Sequence, residues 1–177
     1  DLVQDRLDHP PYGRNLNFPI EEYSKFNQTS GTQGKAMTWL DTVEDWKWML
    51  GNWNRVLEAV GVEVGARCFF AFSFGPFLGF WTAYESATQR GCVCIPAGGQ
   101  STEQRLNGIL NQEAEHLFCT PTYAMRLTSF AKDRGFDLSG HRLKSIIVAG
   151  ETGGSLLAVR NRITSIWGKD LAIHDHY

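Results

Sequence analysis

From residue 66 onward the chain alternates short apolar runs with amphipathic patterns, and that rhythm restricts it to very few architectures. Apolar runs occupy 67–73, 91–95, 115–119, 143–149 and 170–174, separated by helical patterns at 76–89, 101–113, 121–134 and 154–167. Ser101 and Gln104 form a capping box for the second of these helices. Thr120-Pro121 reads as an N-cap followed by proline at the first helical position, and Gly135 closes that helix. Strands alternating with helices at this spacing predict an α/β fold, a parallel sheet of right-handed crossovers flanked by helices.

Ligands of such sheets gather outside the carboxyl ends of the strands. That rule selects Phe74-Gly75-Pro76, Pro96-Ala97-Gly98-Gly99, Thr120-Pro121-Thr122-Tyr123, the stretch from Ala149 to Gly154, and Asp175-His176-Tyr177. The turn at 96–99 reads as a plain strand-to-helix turn. Around Gly150, Glu151 and Thr152, glycine density with a carboxylate at its centre favours a binding role.

Upstream, residues 1–22 carry Pro10, Pro11, Gly13 and Pro19 and read as an irregular lead-in. Two short strands are expected at 23–28 and 36–40. Thr42 then caps a helix with Asp45 as its box partner, and Trp46, Met49, Leu50, Trp53, Leu57 and Val60 make its apolar face before Gly61 ends it.

Between the two short strands lies the most chemically specific segment, Gln28 to Lys35. Thr29, Ser30 and Thr32 offer hydroxyls, Gly31 and Gly34 let backbone N–H groups approach a ligand, and Lys35 adds a mobile charge. Such a loop wraps a cluster of anionic oxygens. It is not a Walker A loop, because only Thr32 and Gln33 separate Gly31 from Gly34-Lys35, and Ala36 follows the lysine.

Composition narrows the class further. Hydrophobic residues at 42% and charged residues at 20% fit a globular chain, and a net charge of −2 without basic runs gives no case for nucleic acid. No apolar stretch is long enough to span a membrane, and the start has no signal-peptide pattern. The abrupt ends read as those of an internal piece of a longer protein. Cys68, Cys92, Cys94 and Cys119 sit in apolar runs without a C-x-x-C pair, which reads as buried thiols in a reducing, cytoplasmic compartment. A metal site shared by Cys92, Cys94 and a histidine is disfavoured, since alternate strand residues point to opposite faces; no metal ligand is assigned.

As a set, these motifs resemble the acyl- and aryl-adenylate-forming (AMP-binding) enzymes, and within them the phenylacetate–coenzyme A ligases. The segment Thr29-Ser30-Gly31-Thr32-Gln33-Gly34-Lys35 resembles their T-S-G-T-T-G-K-P phosphate loop. Cys119-Thr120-Pro121-Thr122-Tyr123 resembles a strand-to-helix segment of the ligases, and Ala149-Gly150-Glu151-Thr152 their adenine-binding turn. His174-Asp175-His176-Tyr177 is similar to the start of D-x-Y-G-x-[ST]-E, and the lead-in His9-Pro10-Pro11-Tyr12-Gly13 and the 40–46 stretch also match. Gln33, Ala36 and Thr152 depart from the usual pattern.

The resemblance implies that residues 1–177 are part of a large N-terminal adenylation domain, without the C-terminal domain, and inactive alone. It implies ATP, magnesium and coenzyme A as cofactors and a small carboxylic acid as partner, activated as an acyl-adenylate and passed to the thiol; a homodimer stays open. Thr29, Ser30, Gly31, Thr32, Gly34 and Lys35 then hold the ATP phosphates, with Thr32 and Lys35 catalytic. Gly150, Glu151, Thr152, Asp175, His176 and Tyr177 frame AMP. Phe74, Phe77, Phe80, Tyr123 and Ala149 receive the acid, whose flat ring the aromatics would suit. Two alternatives are an adenylating enzyme that loads a carrier-protein thiol and a non-catalytic homologue that binds nucleotide or aryl acid.

Overall fold

The computed structural model describes residues 1–29, 31 and 36–176. Five parallel strands form the central sheet: β3 (Arg67–Phe70), β4 (Val93–Pro96), β5 (His116–Cys119), β6 (Ser145–Ala149) and β7 (Ala172–His176), in the order β4-β3-β5-β6-β7. Helices α3 (Leu78–Gln89), α4 (Thr102–Asn111), α5 (Pro121–Asp133) and α6 (Leu157–Trp167) connect them. Ahead of the sheet come α1 (Leu2–Asp8), the antiparallel pair β1 (Tyr23–Gln28) and β2 (Thr38–Thr42), and α2 (Val43–Ala59).

A parallel sheet buries both faces, so its strands present apolar side chains in both directions. Phe69, Leu117, Ile146 and Val148 pack into a layer with Leu106, Leu127 and Ile163 of α4, α5 and α6. Cys68, Phe70, Phe118 and Ile147 face the other way, with Leu57 of α2 and Ala83 of α3. In that second layer the Phe70 and Phe118 rings stack at 4.4 Å across neighbouring strands. Cys68 and Cys119 are buried free thiols, while Cys92 and Cys94 are half-buried.

The helix signals resolve as local chemistry predicts. The Thr42 hydroxyl accepts from the Asp45 N–H at 3.2 Å while the Asp45 carboxylate accepts from the Thr42 N–H at 3.1 Å. Trp46, Leu50, Trp53 and Leu57 form the buried stripe of α2. Ser101 and Gln104 make the same reciprocal pair, and Thr120 caps α5.

Two expectations are corrected. The lead-in is not wholly irregular, because Leu2–Asp8 is a helix capped by the Asp1 carboxylate. Asp5 on that helix accepts from the Arg14 backbone N–H at 2.6 Å and from Arg14 Nε at 2.9 Å, which folds the Pro10–Gly13 turn back and holds the Asp5 carboxyl below its usual range. The second short strand begins at Thr38 rather than at 36 and runs directly into the N-cap of α2.

His116 is the one large polar side chain among the fully buried residues, its Nδ1 2.8 Å from the Ser145 hydroxyl. Burial pushes its pKa down to about 4. The unfolded chain therefore binds more protons than the native one between pH 6.5 and 4, so stability is full above that window and falls as the pH drops through it. Unfolding midpoints measured across this range should decline, and His116→Gln should flatten that decline.

Candidate functional site

The strand order places a reversal at β3. The chain steps one way to β4, then crosses back to lay β5 on the other side of β3, so α3 covers one face and α4 the other. The turns leaving β3 and β5 must therefore part, and a crevice opens at their carboxyl ends. A cavity of about 620 Å³ lies there, walled by Ala71, Phe72 and Ser73 after β3, Thr120 after β5 and Glu151 after β6. Phe77, Phe80 and Tyr123 line it together.

A second, more apolar cavity of about 380 Å³ adjoins it, walled by Trp53 and Val56 of α2, Leu78 and Gly79 of α3, and Ala149, Gly150 and His176. Phe80 stands at the boundary. Its ring stacks on Phe72 at 3.9 Å, and a Cβ placed on Gly150 would meet the Phe80 ring at 3.6 Å.

The five residues expected at the acid thus divide. Phe77, Phe80 and Tyr123 share the first cavity and Ala149 faces the second. Phe74 adopts a left-handed backbone, φ 46°, and its ring turns to Trp81 and Tyr84 at 5.0 and 5.4 Å. It supports the turn after β3 without lining either cavity.

The AMP set is spread over two adjacent strand ends, those of β6 and β7. Gly150 has φ +84°, a conformation suited to glycine as the chain leaves β6. Glu151 accepts from the Thr122 hydroxyl at 2.5 Å, tying this turn to the start of α5, and Thr152 is exposed. Asp175 accepts from the Ser155 hydroxyl at 2.5 Å through one oxygen, while its other oxygen is buried without a partner among the described residues. His176 packs edge-on against Trp53 at 4.4 Å. Tyr177 lies outside the described residues.

Of the hydroxyl-rich loop, Thr29 and Gly31 are described; Ser30, Thr32, Gly34 and Lys35 are outside the described residues. Thr29 closes the base of the loop, donating its N–H to the Met37 carbonyl and accepting the Met37 N–H on its hydroxyl, each at 2.9 Å. The hairpin is fastened to the crevice. Gln28 N–H donates to the Pro76 carbonyl at 2.8 Å, on the turn that follows β3. Glu85 of α3 receives Lys25 Nζ at 2.7 Å and the Trp46 indole N–H at 2.6 Å, and Lys25 also lies over the Trp46 ring at 4.6 Å. Buried Asn27 donates to Asp41 at 2.5 Å, and burial raises the Asp41 pKa.

Residue-by-residue reading missed Arg105. It lies on the buried side of α4 beside Leu106 and Ile109, at 7% exposure, in the wall of the larger cavity. A cation among apolar neighbours on a helix face was the available signal. The turn at 96–99, read as plain, also borders the crevice, since Gly99 lines the cavity.

Comparison with known proteins adds to this geometry. A phenylacetate-coenzyme A ligase of Thermus thermophilus is 31% identical over 131 residues, 74% of this chain and 29% of its own length. One of Pseudomonas putida is 28% identical over 147 residues, 83% of this chain and 33% of its own. Among solved structures, a 2-hydroxyisobutyryl-CoA ligase in complex with 2-HIB-AMP and CoA superposes with a TM-score of 0.87 over 98% of this chain and 37% of that one, at 23% identity. Over 74–83% of its length the chain is similar to phenylacetate-coenzyme A ligases. No protein-family model matches it. It spans about a third of the length of these curated relatives. The structural neighbour shares the fold over nearly the whole chain.

Gly154 follows the β6 turn, and a Cβ there would lie 2.4 Å from Val148 and 2.7 Å from the Asp175 carboxyl. Both contacts are with packed groups, so Gly154→Ala should cost about 1–3 kcal/mol of stability, read as a lowered denaturant midpoint. Gly153→Ala, which meets no atom within 4 Å but has φ +116°, should cost backbone strain only.

Proposed function

We propose that the full-length protein carrying this chain activates a carboxylic acid with ATP and transfers the acyl group to coenzyme A. One observation carries the reading: the hydroxyl-rich hairpin loop is anchored through Gln28 to the Pro76 carbonyl, at the mouth of the crevice between β3 and β5. That anchor supports reading the phosphate loop expected from sequence together with the strand ends expected to hold adenylate and acid.

In this reading the acid's carboxylate attacks the α-phosphorus of ATP, the bond to pyrophosphate breaks, and the thiol later displaces AMP from the mixed anhydride. Charge builds up on the departing phosphates, and preorganised N–H, hydroxyl and ammonium donors are what such a step requires. Thr29 to Lys35 supply them, with Thr32 and Lys35 in the catalytic roles. The turn at Gly150, Glu151 and Thr152 together with Asp175, His176 and Tyr177 frames the nucleotide. Phe77, Phe80, Tyr123 and Ala149 border the acid, and their flat rings favour an aryl or arylacetic acid. Magnesium would neutralise phosphate charge when bound. Among the described residues no three His, Cys, Asp or Glu side chains gather as a metal site, so no ligand or step is assigned to it.

Ser30→Ala combined with Thr32→Ala in the full-length protein should abolish acid-dependent pyrophosphate release with the fold intact, since each charge-assisted bond contributes about 1.5–3 kcal/mol. Wild-type release from that variant would remove the loop from the mechanism. A carboxylate panel scored by pyrophosphate formation should favour phenylacetate or benzoate, and a preference for palmitate would overturn the aryl assignment.

A further inference from the structure

The larger cavity is lined by two donor side chains, Arg105 and Tyr123, whose hydrogen-bonding capacity the fold does not exhaust. Arg105 is more than nine-tenths buried and has no carboxylate partner among the described residues. Its Nε donates to the Ala97 carbonyl at 2.9 Å, Nη1 to Ala71 at 3.2 Å and Nη2 to Phe72 at 3.4 Å, the last at the weak end of the range. A guanidinium carries five N–H bonds, so these carbonyls do not exhaust it. Burying such a cation without a counter-charge is costly, and backbone carbonyls return only part of that cost. The guanidinium carbon lies 4.7 Å from the Tyr123 ring centroid, which fixes the two side chains together in the cavity wall. The Tyr123 hydroxyl is itself buried and has no hydrogen-bond partner among the described residues.

One hydroxyl without a partner among the described residues and one guanidinium with donors to spare, stacked in the wall of one cavity, point to one missing acceptor. We infer that Tyr123 and Arg105 form a donor pair that binds a carbonyl or carboxylate oxygen of the ligand occupying this cavity. The inference rests on the ligase reading for the ligand's identity. Two sources share this chemistry: a second oxygen function on the acid, or an amide carbonyl on the arm of the coenzyme A thiol. The cavity's walls differ accordingly from the neighbouring apolar one, which offers no cation.

The test uses the full-length protein with Tyr123→Phe, which keeps the ring and removes only the hydroxyl, and Arg105→Met as the second variant. Pyrophosphate exchange without thiol is measured with phenylacetate and with 2-carboxyphenylacetate; thioester formation is measured against coenzyme A. Tyr123→Phe should raise one KM by about fivefold to tenfold, the worth of one hydrogen bond, with kcat and the unfolding midpoint little changed. A rise confined to coenzyme A assigns the oxygen to the thiol's arm. A rise confined to the carboxyl-bearing acid assigns it to the acid. Unchanged KM values for both overturn the donor pair. Absence of exchange in the wild type counts against the ligase reading alone. Calorimetric titration of coenzyme A and of the diacid then decides the pair directly: a weaker Kd in Tyr123→Phe supports it and equal values overturn it.

Discussion

A parallel sheet must be covered on both faces, and nearly everything else in this chain follows from how that is achieved. Helices cannot all run on one side, so the connection from β3 to β4 uses α3 on the face of α2, and the connection from β4 to β5 uses α4 on the opposite face. The reversal between them lets five helices, α2 to α6, cover both faces of five strands, and it separates the turns after β3 and β5. The crevice is a consequence of covering the sheet. It needs no dedicated residues to open it, only side chains of suitable chemistry at the strand ends.

The hairpin that carries the hydroxyl-rich loop is not part of that sheet, and its position depends on a few polar contacts. Glu85 receives both Lys25 and Trp46, so one carboxylate joins β1, α2 and α3. Lys25 and Glu85 are each about a third exposed, which limits what the ion pair contributes on its own. The indole N–H and the stacked ammonium add direction to it, and Gln28 fixes the hairpin's end to the Pro76 carbonyl. Placement of the hairpin therefore rests on direction-dependent bonds more than on buried area.

Much of this was legible in the sequence, for physical reasons. Apolar runs and caps are local signals, and Thr42 with Asp45, Ser101 with Gln104, and Thr120 with Pro121 act within a single turn of chain, so element type and order could be read directly. Strand order could not, because β3 pairs with both β4 and β5 through contacts far apart in sequence. The aromatic cluster shows the same limit. Phe74, Phe77 and Phe80 are close in sequence, yet the left-handed backbone at Phe74 sends its ring toward Trp81 and Tyr84 while the other two face the cavity. The short helix Leu2–Asp8 went unread because it buries no residue, and an apolar stripe is the signal by which helices are recognised.

The two cavities at the strand ends also separate two kinds of recognition. One is framed by Trp53, Val56, Leu78 and Ala149 and suits an apolar group, while the other carries Arg105, Tyr123, Thr120 and Glu151 and suits a ligand with oxygens to place. Phe80, in the first turn of α3, sets the boundary through a stack with Phe72, which follows β3 directly. Arg105 holds that same segment, since its guanidinium binds the Ala71 and Phe72 carbonyls as well as Ala97 after β4. A single buried cation thus braces the turns after β3 and β4 and holds the backbone of Phe72, on whose ring Phe80 stacks. Because its bonds go to backbone oxygens, the brace depends on the path of the chain and not on neighbouring side chains. The wall residues can therefore vary in chemistry around a crevice whose shape the backbone and Arg105 hold constant.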